Sequence, residues 1–197
     1  PALLFAATAA FLLGLTVVEA SFALAYRDAL TGLPTRRALT DALAGLRGVY
    51  TIAMVDIDHF KHVNDRHGHE VGDQVLRMVA SHIARIGGGG RPFRYGGEEF
   101  AILFPGTPLA DAVPHLEALR AAIQEASFTL SAPDRPRRKP RKPKPSTKRR
   151  TRTTLAITVS IGAAEPTPRY ADPVSVLRAA DRALYRAKEG GRNQVVG

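Results

Sequence analysis

The chain contains no cysteine among its 197 residues. This absence excludes disulfide bonds, thiolate metal sites and cysteine nucleophiles, and it is consistent with a reducing compartment. A chain of this length can form one ordinary domain with a hydrophobic core, together with smaller appended segments.

Acidic residues are absent from 135–152, a run that holds eleven Lys or Arg residues and four prolines. The run therefore carries a charge of +11, whereas the whole chain has a formal net charge of +10. The rest of the chain thus carries a net charge of −1. We predict a disordered basic insertion at 133–153, because such a run can neither bury itself nor join a sheet. A solvated insertion is favoured over attraction to an anionic membrane or to nucleic acid. Nucleic acid is the weaker partner, since the run has no aromatic residues for base stacking.

Charge is also absent from the first 18 residues. About 18 uncharged apolar residues is the lower limit for a membrane-spanning helix. No basic residues precede the run, which argues against a signal peptide. We predict that residues 1–26 form an apolar helix that is a truncated transmembrane segment; a packing or dimerising helix is the alternative. Residues 27–197 then form the folded domain.

The apolar pattern of the remaining chain alternates between strands and helices. Tyr50–Ile57 is a continuous apolar run, which is typical of a buried strand and delivers Asp56 at its end. The glycine pair Gly96-Gly97 predicts a hairpin turn. Strands are expected over Pro92–Tyr95, Glu98–Phe104, Phe128–Leu130 and Leu155–Ala163, and helices over Arg36–Leu46, Phe60–Asn64, Val71–Ile86, Leu109–Glu125 and Pro173–Lys188, with His67–Glu70 as a loop. This order predicts an α/β fold in which a mixed-direction central sheet is flanked by helices.

Carboxylates without accompanying nitrogen or sulfur ligands mark one edge of the predicted sheet. Glu98 begins the strand after the glycine turn, and Asp56 ends the apolar strand. Such carboxylates suit a hard cation such as Mg²⁺, with phosphate oxygens and water completing its coordination. The alternative is that the glycine pair is only a turn.

Two further pairs of polar residues suit a nucleotide. Lys188 and Arg192 lie four residues apart at a predicted helix end and suit a polyphosphate, although a solvated helix end is the usual alternative. Asn64 and Asp73 offer the two acceptors that the N1 and N2 hydrogens of guanine require. Asp73 is equally explained as a favourable charge at a helix N-terminus, and His69 as a plain loop residue.

Six motifs in order resemble the diguanylate cyclase (GGDEF) family. They are DALTGLPTRR, VDIDHFKHVND, GHEVGD, RYGGEEF, TVSIGAA and ADRALYRAKEGGRNQV. The resemblance implies the palm fold of nucleotide cyclases and polymerases, and a reaction that joins two GTP molecules into cyclic di-GMP with release of two pyrophosphates.

The resemblance also implies roles for individual residues. Asp56, the carbonyl of Ile57 and Glu98 would hold Mg²⁺, with Mn²⁺ as a substitute, and Glu99 would be a further ligand or base. Gly96 and Gly97 would let the ribose and phosphates approach the backbone. The β- and γ-phosphates would be bound by groups from both ends of the domain, namely His59, Phe60, Lys61, Lys188 and Arg192. Guanine would be bound by a separate set, namely Asn64, Asp73 and His69.

Three expectations about the whole protein accompany this reading. A homodimer is needed because each chain holds one GTP. The domain is cytoplasmic, and the parent protein is anchored to the inner membrane through residues 1–26. The family's Arg-x-x-Asp product-inhibition motif is replaced by four glycines at Gly87–Gly90, so inhibition through that site is not expected. The alternatives to an active cyclase are a silent module that binds GTP or cyclic di-GMP, and a nucleic-acid-binding protein.

Overall fold

The computed structural model describes Thr8 and the ranges 11–16, 25–126, 128–129 and 154–197. The predicted basic insertion at 133–153 lies outside the described residues, as does most of the predicted apolar helix at 1–26. Residues 11–16 are helical. Within the described ranges, no helix is both long enough and apolar enough to cross a membrane.

A five-stranded sheet in the order β2-β3-β1-β6-β7 forms the centre of the domain. Its strands are β1 (Tyr50–Ile57), β2 (Arg91–Arg94), β3 (Glu99–Pro105), β6 (Val159–Ala164) and β7 (Val195–Val196). β1 pairs antiparallel with β3 on one side and with β6 on the other, whereas β6 and β7 are parallel. The predicted mixed-direction sheet is therefore confirmed.

In the described ranges five helices flank the sheet, and a separate two-stranded ribbon pairs β4 (Phe128–Thr129) with β5 (Thr154–Leu155). The helices are α1 (Arg36–Ala44), α2 (Phe60–His67), α3 (His69–Ile83), α4 (Leu109–Glu125) and α5 (Pro173–Glu189). All eight residues of β1 are buried, because helices cover both faces of this central strand.

The core divides into two clusters, one on each face of the sheet. Ala53, Val55 and Ile57 of β1 belong to the cluster that includes side chains of α2, α3 and α4. Ile52 and Met54 belong to the cluster that includes side chains of α1 and α5. This alternation follows from the two-residue period of a strand, and it places Asp56, by the same parity, on the face of α5.

Two predicted elements were wrong, and several helix ends were displaced by a few residues. The predicted loop His67–Glu70 is reduced to Gly68, because the φ of 86° at this glycine turns the chain between α2 and α3 in a single residue. The predicted single strand Leu155–Ala163 is split, because Leu155 pairs with β4 whereas the chain from Val159 onward pairs with β1.

Candidate active site

The end of β1 carries a buried carboxylate that contacts a lysine. Asp56 is 4% exposed, and Nζ of Lys188, near the end of α5, lies 2.9 Å from its Oδ2. Burial raises the pKa of Asp56 above its ordinary value of 3.8, as does the charge of Asp58, while Lys188 and Arg192 oppose this shift. The structure thus brings both predicted phosphate-binding cations within electrostatic reach of the predicted metal ligand.

Glu98 stands beside Asp56 because β3 begins directly opposite the end of β1. In the register of the two strands Asp56 pairs with Glu99, and the carbonyl of Glu98 accepts a hydrogen bond from the amide of Ile57. Burial raises the pKa of Glu98 above 4.5, and the negative charge of Asp56 raises it further. A carboxylate whose ionisation is disfavoured by a neighbouring carboxylate is a suitable place for a cation.

The turn between β2 and β3 has the Glu99 side chain over one glycine and leaves the other open. A Cβ on Gly96 would lie 2.8 Å from Oε2 of Glu99, whose side chain lies over this residue. A Cβ on Gly97 would meet no atom within 4 Å. Glu99 therefore closes one side of the turn, and the backbone at Gly97 is accessible to another molecule.

Arg94 fixes the conformation of this turn, a role that the sequence analysis missed. Its Nε donates to the carbonyl of Gly96 at 3.2 Å and its Nη2 to that of Gly97 at 2.8 Å. Its Nη1 lies 2.6 Å from Oδ1 of Asp28. Both residues belong to quoted motifs, DALTGLPTRR and RYGGEEF, but their contact spans 66 positions and follows only from the folded chain.

The two predicted guanine-binding residues lie on adjoining helices. Asn64 of α2 and Asp73 of α3 are half-buried, and Oδ1 of Asn64 has no hydrogen-bond partner among the residues that the structure describes. A Cβ on Gly72 would lie only 1.9 Å from this oxygen, so the glycine before Asp73 allows the helices to approach. Gly72 was not among the predicted site residues. His69, the first residue of α3, is exposed.

The start of α2 offers free backbone amides close in sequence to Asp56. His59 precedes the helix with a left-handed φ of 56° and makes no side-chain cap. The first amides of a helix have no partner within it and attract anions. His59 and Lys61 are exposed, whereas Phe60 is buried in the core, so Phe60 can offer an anion only its backbone.

The residues present fit a hard cation, with fewer side-chain ligands than expected. In the described part of the chain, no group of three or more His, Cys, Asp or Glu side chains is arranged to hold a metal ion. Asp56 and Glu98 supply oxygen donors only, which suits Mg²⁺. Glu99 is instead drawn over Gly96.

The four glycines at Gly87–Gly90 lie against a helix. A Cβ on Gly88 would come within 2.3 Å of the His115 ring, and one on Gly87 within 3.0 Å of it. His115 of α4 therefore packs on this segment. Neither an arginine fork nor a carboxylate is present in these four residues.

Cavity size does not identify the site. A cavity of about 690 Å³ lies between α1 and α5, lined by Leu39, Leu43 and Leu177 among others, and neither Asp56 nor Glu98 lines it. We assign the site from its charges and backbone geometry, since a site for a highly charged ligand is defined by such groups.

Comparison with known proteins gives a consistent answer. The family description "Diguanylate cyclase, GGDEF domain" matches residues 25–139 and 134–194. The response regulator PleD of Caulobacter vibrioides is 36% identical over 188 residues, which are 91% of this chain and 37% of PleD. The diguanylate cyclase DgcP of Pseudomonas aeruginosa is 37% identical over 87% of this chain and 24% of its own length. The chain thus spans well under half of these two relatives.

Solved structures share the fold. The coiled coil and GGDEF domain of DgcB from Caulobacter crescentus, in complex with c-di-GMP, has a TM-score of 0.81 at 34% identity and covers 99% of this chain and 97% of its own. Diguanylate cyclase SiaD of Pseudomonas aeruginosa, in complex with its activator SiaC, has a TM-score of 0.70 at 31% identity and covers 97% of this chain and 70% of its own. The mixed sheet with flanking helices is the cyclase palm fold of these neighbours.

Proposed function

Because the chain belongs to the diguanylate cyclase (GGDEF) family, we propose that it condenses two GTP molecules into cyclic di-GMP with release of two pyrophosphates. The observation that supports this most is the meeting of Asp56, Glu98 and Lys188 beside an accessible glycine turn. This combination provides oxygen ligands for a cation, a positive charge for a phosphate, and backbone without side chains where the nucleotide must approach.

The metal site in this proposal is formed by Asp56, the carbonyl of Ile57 and Glu98. Bound Mg²⁺, or Mn²⁺ in its place, would lower the pKa of the 3′-hydroxyl and neutralise charge on the α-phosphate. The ammonium of Lys188 lies 2.9 Å from Asp56 and partly offsets its charge. Glu99, whose side chain lies over Gly96, is the third carboxylate of this site and would be a further ligand or base.

The triphosphate is bound from two sides. The free amides at the start of α2, near His59 and Phe60, together with Lys61, bind it on one side, and Lys188 with Arg192 on the other. Gly96 and Gly97 contact the ribose and α-phosphate through the backbone. GTP is an intracellular nucleotide, so this domain acts in the cytoplasm; anchoring of the parent protein through residues 1–26 stays a prediction.

Guanine is bound between α2 and α3. The unpartnered Oδ1 of Asn64 and the carboxylate of Asp73 accept hydrogens from the base, and His69 lies at the rim of the pocket. A buried acceptor without a partner costs about 1 to 3 kcal/mol, so a ligand that supplies the missing hydrogen is favoured.

A silent nucleotide-binding module is the second candidate. It is favoured by one observation, the small number of side-chain metal ligands among the described residues. Such a module would bind GTP with the same residues and release no pyrophosphate. The two functions differ in turnover and not in binding.

The experiment compares the wild-type chain with Asp56→Asn in GTP and Mg²⁺, with products separated by ion-exchange chromatography. Wild type should form cyclic di-GMP, and the variant should be slower by at least about 100-fold, because the loss of even an outer-shell partner of a metal ligand costs about 10- to 100-fold. The variant should unfold at the same temperature as wild type or higher, because the raised pKa of Asp56 means that its ionised form is costly in the folded state. Binding of GTP by wild type without product would favour the silent module.

A further inference from the structure

Asp58 is a buried carboxylate with no assigned role so far. It is 6% exposed and follows the two predicted metal ligands of β1. Its Oδ1 accepts a hydrogen bond from the hydroxyl of Ser160 at 2.7 Å, and its Oδ2 accepts one from the hydroxyl of Thr158, also at 2.7 Å. A third donor, the backbone amide of Asn193, reaches Oδ2 at 3.1 Å.

The segment that Asp58 holds contains Arg192. Both Arg192 and Asn193 adopt left-handed backbone conformations, with φ of 65° and 46°. A left-handed conformation is unfavourable for Arg192 and persists only where surrounding contacts enforce it, whereas asparagine adopts it more readily. The amide of Arg192 donates to the carbonyl of Ala187 at 3.0 Å, which ties the turn to the end of α5. Asp58 ties the next residue to the sheet.

A second contact holds the same turn from α4. Nη1 of Arg120 donates to Oδ1 of Asn193 at 3.0 Å, while its Nε lies 2.7 Å from Glu117. Asn193 is therefore fixed through its backbone by Asp58 and through its side chain by Arg120. The residue before it is placed so that its positive charge influences Asp56.

We propose that Asp58 is a positioning residue for Arg192. Its carboxylate holds the strained turn against β6, and this contact directs the guanidinium of Arg192 toward the β- and γ-phosphates of the nucleotide. Asp58 itself accepts three protein donors and contacts neither metal nor substrate. The inference rests on the proposed function, because it takes the triphosphate as the ligand of Arg192.

The test measures binding and not turnover. 3′-Deoxy-GTP lacks the attacking hydroxyl and is titrated calorimetrically with Mg²⁺, alongside GMP, which lacks the β- and γ-phosphates. Asp58→Ala should lower the affinity for 3′-deoxy-GTP by about 10- to 100-fold, the range for losing a hydrogen bond to a charged group. The affinity for GMP should be unchanged. Asp58→Asn should bind like wild type, because its oxygen still accepts from Asn193 and its amide can donate to the Ser160 hydroxyl.

A double-mutant cycle with Arg192→Ala separates positioning from general destabilisation. Once the guanidinium is absent, Asp58→Ala should cause no further loss of 3′-deoxy-GTP affinity, since the two changes remove the same contact. Additive losses, an equal loss for GMP, or Asp58→Asn as weak as Asp58→Ala would overturn the proposal. If Asp58→Ala has lost the far-ultraviolet circular dichroism of the folded chain, Asp58→Ser takes its place in the cycle.

The same data distinguish this inference from the proposed function. If Arg192→Ala binds 3′-deoxy-GTP as tightly as wild type does, the proposed phosphate site is refuted. A large effect of Arg192→Ala with none from Asp58→Ala would leave that site standing and refute the positioning role alone.

Discussion

Several residues at this site hold polar or charged groups in surroundings that are unfavourable for them. Burial raises the pKa of both Asp56 and Glu98; the charge of Asp58 raises that of Asp56 further, and the charge of Asp56 raises that of Glu98 further. Asn64 leaves an acceptor unpaired beside Gly72. Such costs are usual where side chains await a ligand. They are relieved, in this account, by the cation and by guanine.

Base selection is the first prediction at this scale. The acceptors of Asn64 and Asp73 match the N1 and N2 hydrogens of guanine, whereas adenine presents an unprotonated N1 to the carboxylate. Asp73→Ser should lower the preference for GTP over ATP by at least about tenfold, which corresponds to one lost hydrogen bond to a charged group. Competition between GTP and ATP in wild type and variant measures this. A wild-type enzyme that uses ATP as readily as GTP would refute the assignment.

The salt bridge that fixes the glycine turn predicts a pH dependence. Burial alone would raise the pKa of Asp28, but hydrogen bonds from Thr31 and Arg94 outweigh burial and hold the pKa below 3.8. A carboxyl with a depressed pKa stabilises the fold above its unfolded pKa, and this contribution is lost as the pH falls through the folded value. Asp28→Asn should therefore cost about 1 to 3 kcal/mol at pH 7.

Urea unfolding of wild type and Asp28→Asn across pH measures this contribution. The difference in the free energy of unfolding should be constant from neutral pH to about pH 5, and it should shrink as the pH falls below 3.8. A difference that stays constant down to the lowest pH at which both chains fold would contradict the ion pair.

Helix α5 packs very closely against β6 of the sheet. A Cβ on Gly162 of β6 would lie 1.9 Å from the backbone nitrogen of Leu184 and 2.3 Å from the carbonyl oxygen of Ala180. Small side chains on the buried face of the helix, at Ala180, Ala183 and Ala187, permit this approach. Lys188 lies one helical turn after Leu184. The close contact at Leu184 therefore sets the position of Lys188 relative to Asp56.

Gly162→Ala should destabilise the domain strongly. Backbone atoms cannot move aside as the end of a side chain can, so the added methyl must displace α5, at a cost of about 3 kcal/mol. Gly45→Ala is the matched control, because a Cβ there meets nothing within 4 Å and the φ of −87° suits alanine. Thermal unfolding of both variants measures the difference, and equal melting temperatures would contradict the close approach of helix and strand.

The sequence predicts the elements better than it predicts their junctions. The apolar run of β1 and the glycine turn correctly locate the adjacent ends of β1 and β3, because both signals are local. The break before Val159 was not predicted, since two sheets share one apolar run. Asp58 and Arg94 were missed for a similar reason: their partners lie 135 and 66 positions away along the chain. Local pattern indicates which residues can bind a nucleotide, but contacts distant in sequence decide how those residues are held.

At the scale of the whole molecule, one chain has half of what the proposed reaction needs. The product contains two guanosines, whereas each chain has one predicted guanine site and one predicted set of metal ligands. Each 3′-oxygen must attack the other nucleotide's α-phosphate, so two chains are expected to face each other about a two-fold axis. Holding both substrates together replaces a bimolecular encounter by a local one.

This arrangement predicts that the rate per chain rises with protein concentration. Chains carrying Asp56→Ala, mixed with wild type, should lower activity by more than dilution alone, because mixed pairs are inactive. Initial rates measured over a dilution series, alongside sedimentation to determine the fraction paired, provide the comparison. A rate per chain that stays constant down to concentrations where every chain is monomeric would exclude the two-chain site.

The most direct test of the account is the stoichiometry of the reaction. GTP consumed, pyrophosphate released and cyclic di-GMP formed are measured together for the wild-type chain in Mg²⁺, at a concentration where chains are paired. Two GTP should be consumed and two pyrophosphates released for each cyclic di-GMP formed, and the Asp56→Asn variant should form no cyclic di-GMP. Bound GTP that yields no pyrophosphate from fully paired wild-type chains would contradict it.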